Sequence, residues 1–161
     1  LHGEARVRTW LEGLKANDVK FYPNNTTVVQ AIARGDVQVG LVNHYYRYLL
    51  LAQDPNLPVR NHWFRANDPG SLVLAAGVGI VSASEKDAAS LRFVNFLLGK
   101  WAQRFIARGP GAAEYPVVKG PAPRPGLPGI RTIKGPKYNL GRLAVDLPKA
   151  IQLLLEVGFI K

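Results

Sequence analysis

The sequence contains no cysteine and no methionine. Without thiols it can form neither disulfides nor thiolate metal sites, although this does not fix its compartment. Without methionine, Leu1 is not an initiator residue, and no signal peptide stands at the front, so we expect a piece of a longer chain. Carboxylates are scarce, 11 against 21 lysines and arginines, and none is paired at a spacing that suggests acid–base chemistry. No run of eighteen apolar residues is present, so no segment is expected to span a membrane.

Other absences narrow the function further. His2, His44 and His62 form no HExxH or other paired-histidine spacing, and GxSxG, Walker A and GxGxxG are missing. An enzyme is therefore not expected. The net charge of +10 invites a nucleic-acid reading. Against it, the basic residues are scattered over helix faces (Arg6, Arg8, Lys15, Lys86, Arg92, Lys100), with no run of five or six like charges. A basic nucleic-acid-binding module is thus a distant alternative, while an anionic ligand stays compatible with the charge.

What is present reads as alternating elements. EARVRTWLEGLK (4–15) places Val7, Trp10, Leu11 and Leu14 on one helical face, and VKFY (19–22) reads as a short strand. PNNTTVVQAIARGD follows as a helix, with Thr27 and Gln30 at capping-box spacing and Gly35 at its end. VQVGLV (37–42) reads as a buried strand, and Asn43 as the N-cap of a helix through HYYRYLLLAQ. VRNHWF (59–64) and SLVLAAGVGIV (71–81) are further strand candidates. Ser84 and Asp87 are spaced to open a helix bearing Leu91, Val94, Leu98, Trp101 and Phe105, interrupted by Gly99. Seven of the twelve prolines lie between 109 and 136, an irregular connection. A last helix runs from about Asp146 to Val157, with Leu147, Ile151, Leu154 and Leu155 facing inward and Gly158 after it. Such alternation predicts an α/β fold with a mainly parallel sheet.

Within this layout NHYYRYLL (43–50) sets two phenols, Tyr45 and Tyr46, at a helix start beyond the end of a strand. They can be ordinary packing residues, since tyrosine is commonly half-buried with a wet hydroxyl. They can also face one ligand, because open α/β sheets bind ligands off the carboxyl ends of their strands. The positive field of a helix N-terminus would ease phenol ionisation and attract a small anion. Two phenolates with an anion make a hard, all-oxygen site for a cation of high charge.

WLEGLKAN (10–17), YPNNTTVVQAIARGDVQVGLVNHYY (22–46), NDPGSLVLAAGVGI (67–80), AQRFIA (102–107), AEYPVV (113–118) and LLLEVGF (153–159) together resemble the periplasmic ferric-iron-binding proteins of ABC importers, in the same order along the chain. The resemblance implies a class II periplasmic-binding-protein fold and an extracytoplasmic protein that docks to an ABC importer membrane permease. It implies that Tyr45 and Tyr46 supply phenolate oxygens to Fe(III), and that Asn25 and Asn43 help hold a synergistic anion, phosphate or carbonate. It covers only the later part of the family's chain. Residues 1–74 and 120–161 correspond to most of the second lobe, and 75–119 to a segment of the first lobe that crosses the hinge twice. The missing N-terminal lobe would carry the remaining ligands, and none of His2, His44 and His62 matches those positions. A same-fold protein for an organic or phosphate-bearing solute is the nearer alternative.

Overall fold

The computed structural model describes residues 2–84 and 86–160. Among them are six α-helices: α1 (Glu4–Ala16), α2 (Asn25–Arg34), α3 (Tyr45–Leu51), α4 (Asp87–Leu97), α5 (Lys100–Arg108) and α6 (Leu143–Glu156). Three single-turn 3-10 segments join them, at Pro69–Ser71, Ile130–Thr132 and Leu140–Arg142. None of the helices is long and apolar enough to cross a membrane.

The chain divides into two compact units. The first comprises Leu1–Phe21, Phe64–Leu74 and Lys134–Lys161. Its core is small: Leu11 of α1 meets Leu153 and Val157, with Leu154 and Phe159 packed alongside. Thus α6 turns Leu153 inward, whereas Leu147, Ile151 and Leu155 of the expected inner face are exposed. Polar contacts reinforce the α1–α6 pairing. Arg8 forms an ion pair with Glu156, and Lys15 Nζ donates to the Val157 carbonyl at 2.6 Å. Gly158, at φ 69°, ends α6 in the left-handed conformation that glycine adopts at least cost. Phe159 then folds back edge-on to Phe21, ring centroids 5.3 Å apart. The Asn67 amide bonds the Lys134 carbonyl at 2.7 Å. Beside it, a Cβ on Gly135 would fall 2.2 Å from the Ser71 carbonyl oxygen, so only glycine fits that approach.

The second unit, Tyr22–Trp63 with Ala75–Ile133, holds α2 to α5. Its core joins Val29 of α2, Leu50 of α3 and Val59, with Ile32, Val42, Tyr46 and Leu57 around them. The helix ends explain why α2 sits where it does. Asn24 accepts from the Thr27 amide at 3.0 Å while Thr27 Oγ1 accepts from the Asn24 amide at 3.3 Å. The capping box is therefore Asn24–Thr27, three residues earlier than the expected Thr27–Gln30 pair. Gly35 closes the helix at φ 80°. The helix expected after Ser84 is two helices, α4 and α5, divided at Leu98–Gly99, where the sequence places an interrupting glycine. The expected Ser84–Asp87 box does not form: Ser84 Oγ accepts from the Lys86 amide, and α4 has no side-chain cap.

The expected sheet is the main difference. No strand occurs among the described residues, including 19–22, 37–42, 59–64 and 71–81. A strand exists only through the ladder of a neighbour, and a hydrophobic pattern marks willingness to pair rather than pairing itself. Val39 and Leu41 remain 85% and 71% exposed, as residues of a strand without a sheet would be. The helical half of the α/β expectation is present and the sheet is not.

Candidate functional site

The tyrosine pair, both asparagines and their neighbours all lie within the second unit. Tyr45 and Tyr46 are the first two residues of α3, with ring centroids 4.7 Å apart and planes tilted by 34°. Both are half-buried. Tyr46 packs onto the Val29–Leu50–Val59 core, which anchors one ring while its neighbour lies beside it.

Asn43 and Asn25 join this pair by hydrogen bonds. The Asn43 side-chain amide donates to the Tyr45 hydroxyl at 2.9 Å, and the Asn43 backbone N–H donates to Asn25 Oδ1 at 3.2 Å. Asn25 is the first residue of α2, so this link ties the start of α2 to the approach of α3. The four residues singled out in the sequence thus form one connected group. The expected capping role of Asn43 is not what is found. The residue preceding α3 is His44, in helical conformation, and α3 has no side-chain cap. Asn43 instead spends its amide on the phenol.

The phenol electrostatics also differ from the expectation of easy ionisation. Burial pushes the Tyr45 pKa above its usual value, and the neighbouring Tyr46 and the Glu114 charge push the same way; the Asn43 hydrogen bond opposes them. A strong cation bound at the phenol oxygen would favour its ionised form against this shift.

Sequence reasoning passed over His44, and the structure places it at the centre of an aromatic group. Its Nε2 lies 2.7 Å from the Ala113 carbonyl, and its own carbonyl accepts from Asn61 Nδ2 at 3.0 Å. Its ring meets Tyr45 edge-on at 5.6 Å, and lies 5.5 Å from Tyr115 and 6.0 Å from Trp63. Tyr115 donates to the Pro128 carbonyl at 2.8 Å, and burial raises its pKa to about 12. The AEYPVV segment is therefore bonded to the residue next to the tyrosine pair, a link between 44 and 113 that no local spacing reveals. Tyr48, expected to be packing, is buried, with Arg47 and Arg124 over its ring at 5.2 and 5.6 Å. No group of three or more His, Cys, Asp or Glu side chains capable of holding a metal occurs among the described residues.

No family model matches the chain. Individual proteins do. It is 30% identical over 162 residues to the Fe(3+)-binding periplasmic protein of Serratia marcescens, covering 99% of this chain and 47% of that one. It is 32% identical over 160 residues to the major ferric iron-binding protein of Neisseria gonorrhoeae, covering 98% and 47%. With iron uptake protein A2 of Synechocystis sp. the identity is 31% over 169 residues, covering 99% and 48%. The chain is a homologue of the periplasmic ferric-iron-binding proteins along almost its whole length, and it spans about half the length of these relatives. The resemblance read from the motifs is borne out. These relatives are named as binding and uptake proteins rather than enzymes, in keeping with the expectation of no enzymatic activity, and their naming fits a binding-protein fold.

Proposed function

We propose that this chain is the later half of an extracytoplasmic solute-binding protein that carries Fe(III), with the Tyr45 and Tyr46 phenolates as ligands. The observation that carries this reading is the connected group itself: adjacent phenols 4.7 Å apart by ring centroid, one held by Asn43, which is in turn held by Asn25. Hard phenolate oxygens suit a hard trivalent cation. The names of the homologues support the same cargo.

In this reading Asn25 and Asn43 also help bind a synergistic anion, phosphate or carbonate, which completes the coordination and balances charge. Asn25 stands at the first turn of α2, where free backbone N–H groups favour an anion. The complete protein has the class II α/β fold. Residues 1–74 and 120–161 belong to its second lobe and 75–119 to its first, and the strand-like segments pair once the rest of the sheet is present. It works in the periplasm, closes around the ion, and delivers it to an ABC permease.

The test is competition for iron against citrate, on this chain alone and joined to the first half of a full-length homologue. Tyr45→Phe and Tyr46→Phe should each lose ferric binding by orders of magnitude in the joined protein. Equal affinity in wild type and both variants would remove the phenols from the site.

A further inference from the structure

His44 ties separate segments together beside the tyrosine pair, and the motif resemblance assigns it no role. Its Nε2 lies 2.7 Å from the Ala113 carbonyl oxygen. A carbonyl oxygen only accepts, so Nε2 carries a proton and donates it. Ala113 is fully buried, and the next amide, that of Glu114, bonds the Ile106 carbonyl of α5 at 3.3 Å, so the acceptor is itself held. On the backbone side, the Asn61 side-chain amide donates to the His44 carbonyl at 3.0 Å. Bonded through both ring and backbone, the imidazole is restrained in orientation. It meets Tyr45 edge-on, with centroids 5.6 Å apart and planes at 77°.

The two phenols differ in their support. Tyr46 packs against the Val29–Leu50–Val59 core, and Tyr45 is not among the residues packed there. Productive ligand geometry tolerates displacements of only about 0.5 Å, so a ring without a core behind it needs another support. We propose that His44 is the positioning residue of the tyrosine pair: tied to Ala113 and Asn61, it holds the Tyr45 ring in the orientation that delivers its oxygen to the cation, without touching the cation. The inference rests on the ferric reading given above and deepens it. Tyr45 is then fixed from three directions, by Asn43 on its oxygen at 2.9 Å, by the Tyr46 ring at 4.7 Å and by the His44 ring.

The experiment compares wild type, His44→Gln and His44→Phe, each joined to the first half of a homologue, with ferric citrate as the iron source and phosphate present. Glutamine keeps an N–H donor within reach of the Ala113 carbonyl, whereas phenylalanine keeps a ring and has no donor. His44→Phe should weaken ferric binding by about tenfold or more and shift the visible tyrosinate-to-iron band, and His44→Gln should recover most of the affinity. Without iron, carbon NMR of tyrosines labelled at Cζ should show one sharp Tyr45 signal in wild type, identified by its loss in Tyr45→Phe. That signal should broaden or split in His44→Phe. Asn61→Ala releases the backbone side of His44, should move both readouts the same way, and serves if His44→Phe does not fold. A lower urea midpoint with unchanged affinity, band and Tyr45 signal would make His44 merely structural and overturn the proposal, leaving the tyrosine site standing. Absence of ferric binding by the wild type would overturn the ferric reading and this assignment with it.

Discussion

Asn43 and Tyr45, two residues apart at the entry to α3, are joined by a side-chain amide-to-phenol hydrogen bond of 2.9 Å. The bond makes Asn43 a holder of the phenol oxygen rather than a helix cap. It is also the one interaction acting to lower the Tyr45 pKa, against burial and two like charges. Asn43→Ala should therefore raise that pKa further, as read by ultraviolet titration of tyrosinate with Tyr46→Phe as the background. Ferric affinity should fall by about tenfold, the scale seen for residues that orient a ligand. A pKa that stays put or falls would show that the bond does not matter in solution.

Tyr115 provides a pH test independent of iron. Its folded pKa, about 12, is above the ordinary tyrosine value of 10.0, chiefly through burial. The unfolded chain thus releases this proton at lower pH than the folded one. The stability it confers is complete below pH 10 and is lost as pH rises from about 10 towards 12. Tyr115→Phe should flatten that alkaline decline in urea midpoints. An equally steep decline in the variant would place the titration elsewhere.

The helices were legible because their signals are local: Gly35 and Gly158 end α2 and α6 where the sequence places them. The sheet was not, because a strand depends on a partner at a distance. VQVGLV carries the right residues, yet Val39 and Leu41 lie exposed. Tyr45, Tyr46, Asn25 and Asn43 were singled out as candidates from a motif, and the structure brings them together. His44 was set aside in the sequence because its tie to Ala113 spans 69 residues, which no local spacing reveals.

Gln103 is the buried polar residue of α5. Its Nε2 donates to the Leu97 carbonyl at 2.9 Å and its Oε1 accepts from the Val117 amide at 2.8 Å. It fastens the α4–α5 turn to the segment after Tyr115. Gln103→Leu leaves both backbone groups without partners and should destabilise the chain by about 1–3 kcal/mol. Urea unfolding measures this directly, and a loss well under that range would mean that water replaces the amide.

Phe93, Phe96, Trp101 and Phe105 run as a continuous aromatic row across α4 and α5, with successive centroids 6.4, 5.8 and 5.8 Å apart. All four are exposed, Trp101 by 64%. Contiguous apolar surface of this kind is a site of association. The chain by itself should self-associate and bind a hydrophobic dye in sedimentation and fluorescence experiments, and Phe96→Glu with Trp101→Glu should suppress both. A monodisperse monomer with no dye binding would contradict this.

The central claim is that Tyr45 and Tyr46 are iron ligands, and one spectrum tests it most directly. Ferric ion is titrated, with phosphate or bicarbonate present, into this chain joined to the first half of a homologue. A visible tyrosinate-to-iron charge-transfer band should grow to saturation, and should be lost or strongly shifted in both Tyr45→Phe and Tyr46→Phe. No band in the wild-type protein, or a band indifferent to both substitutions, would contradict the account.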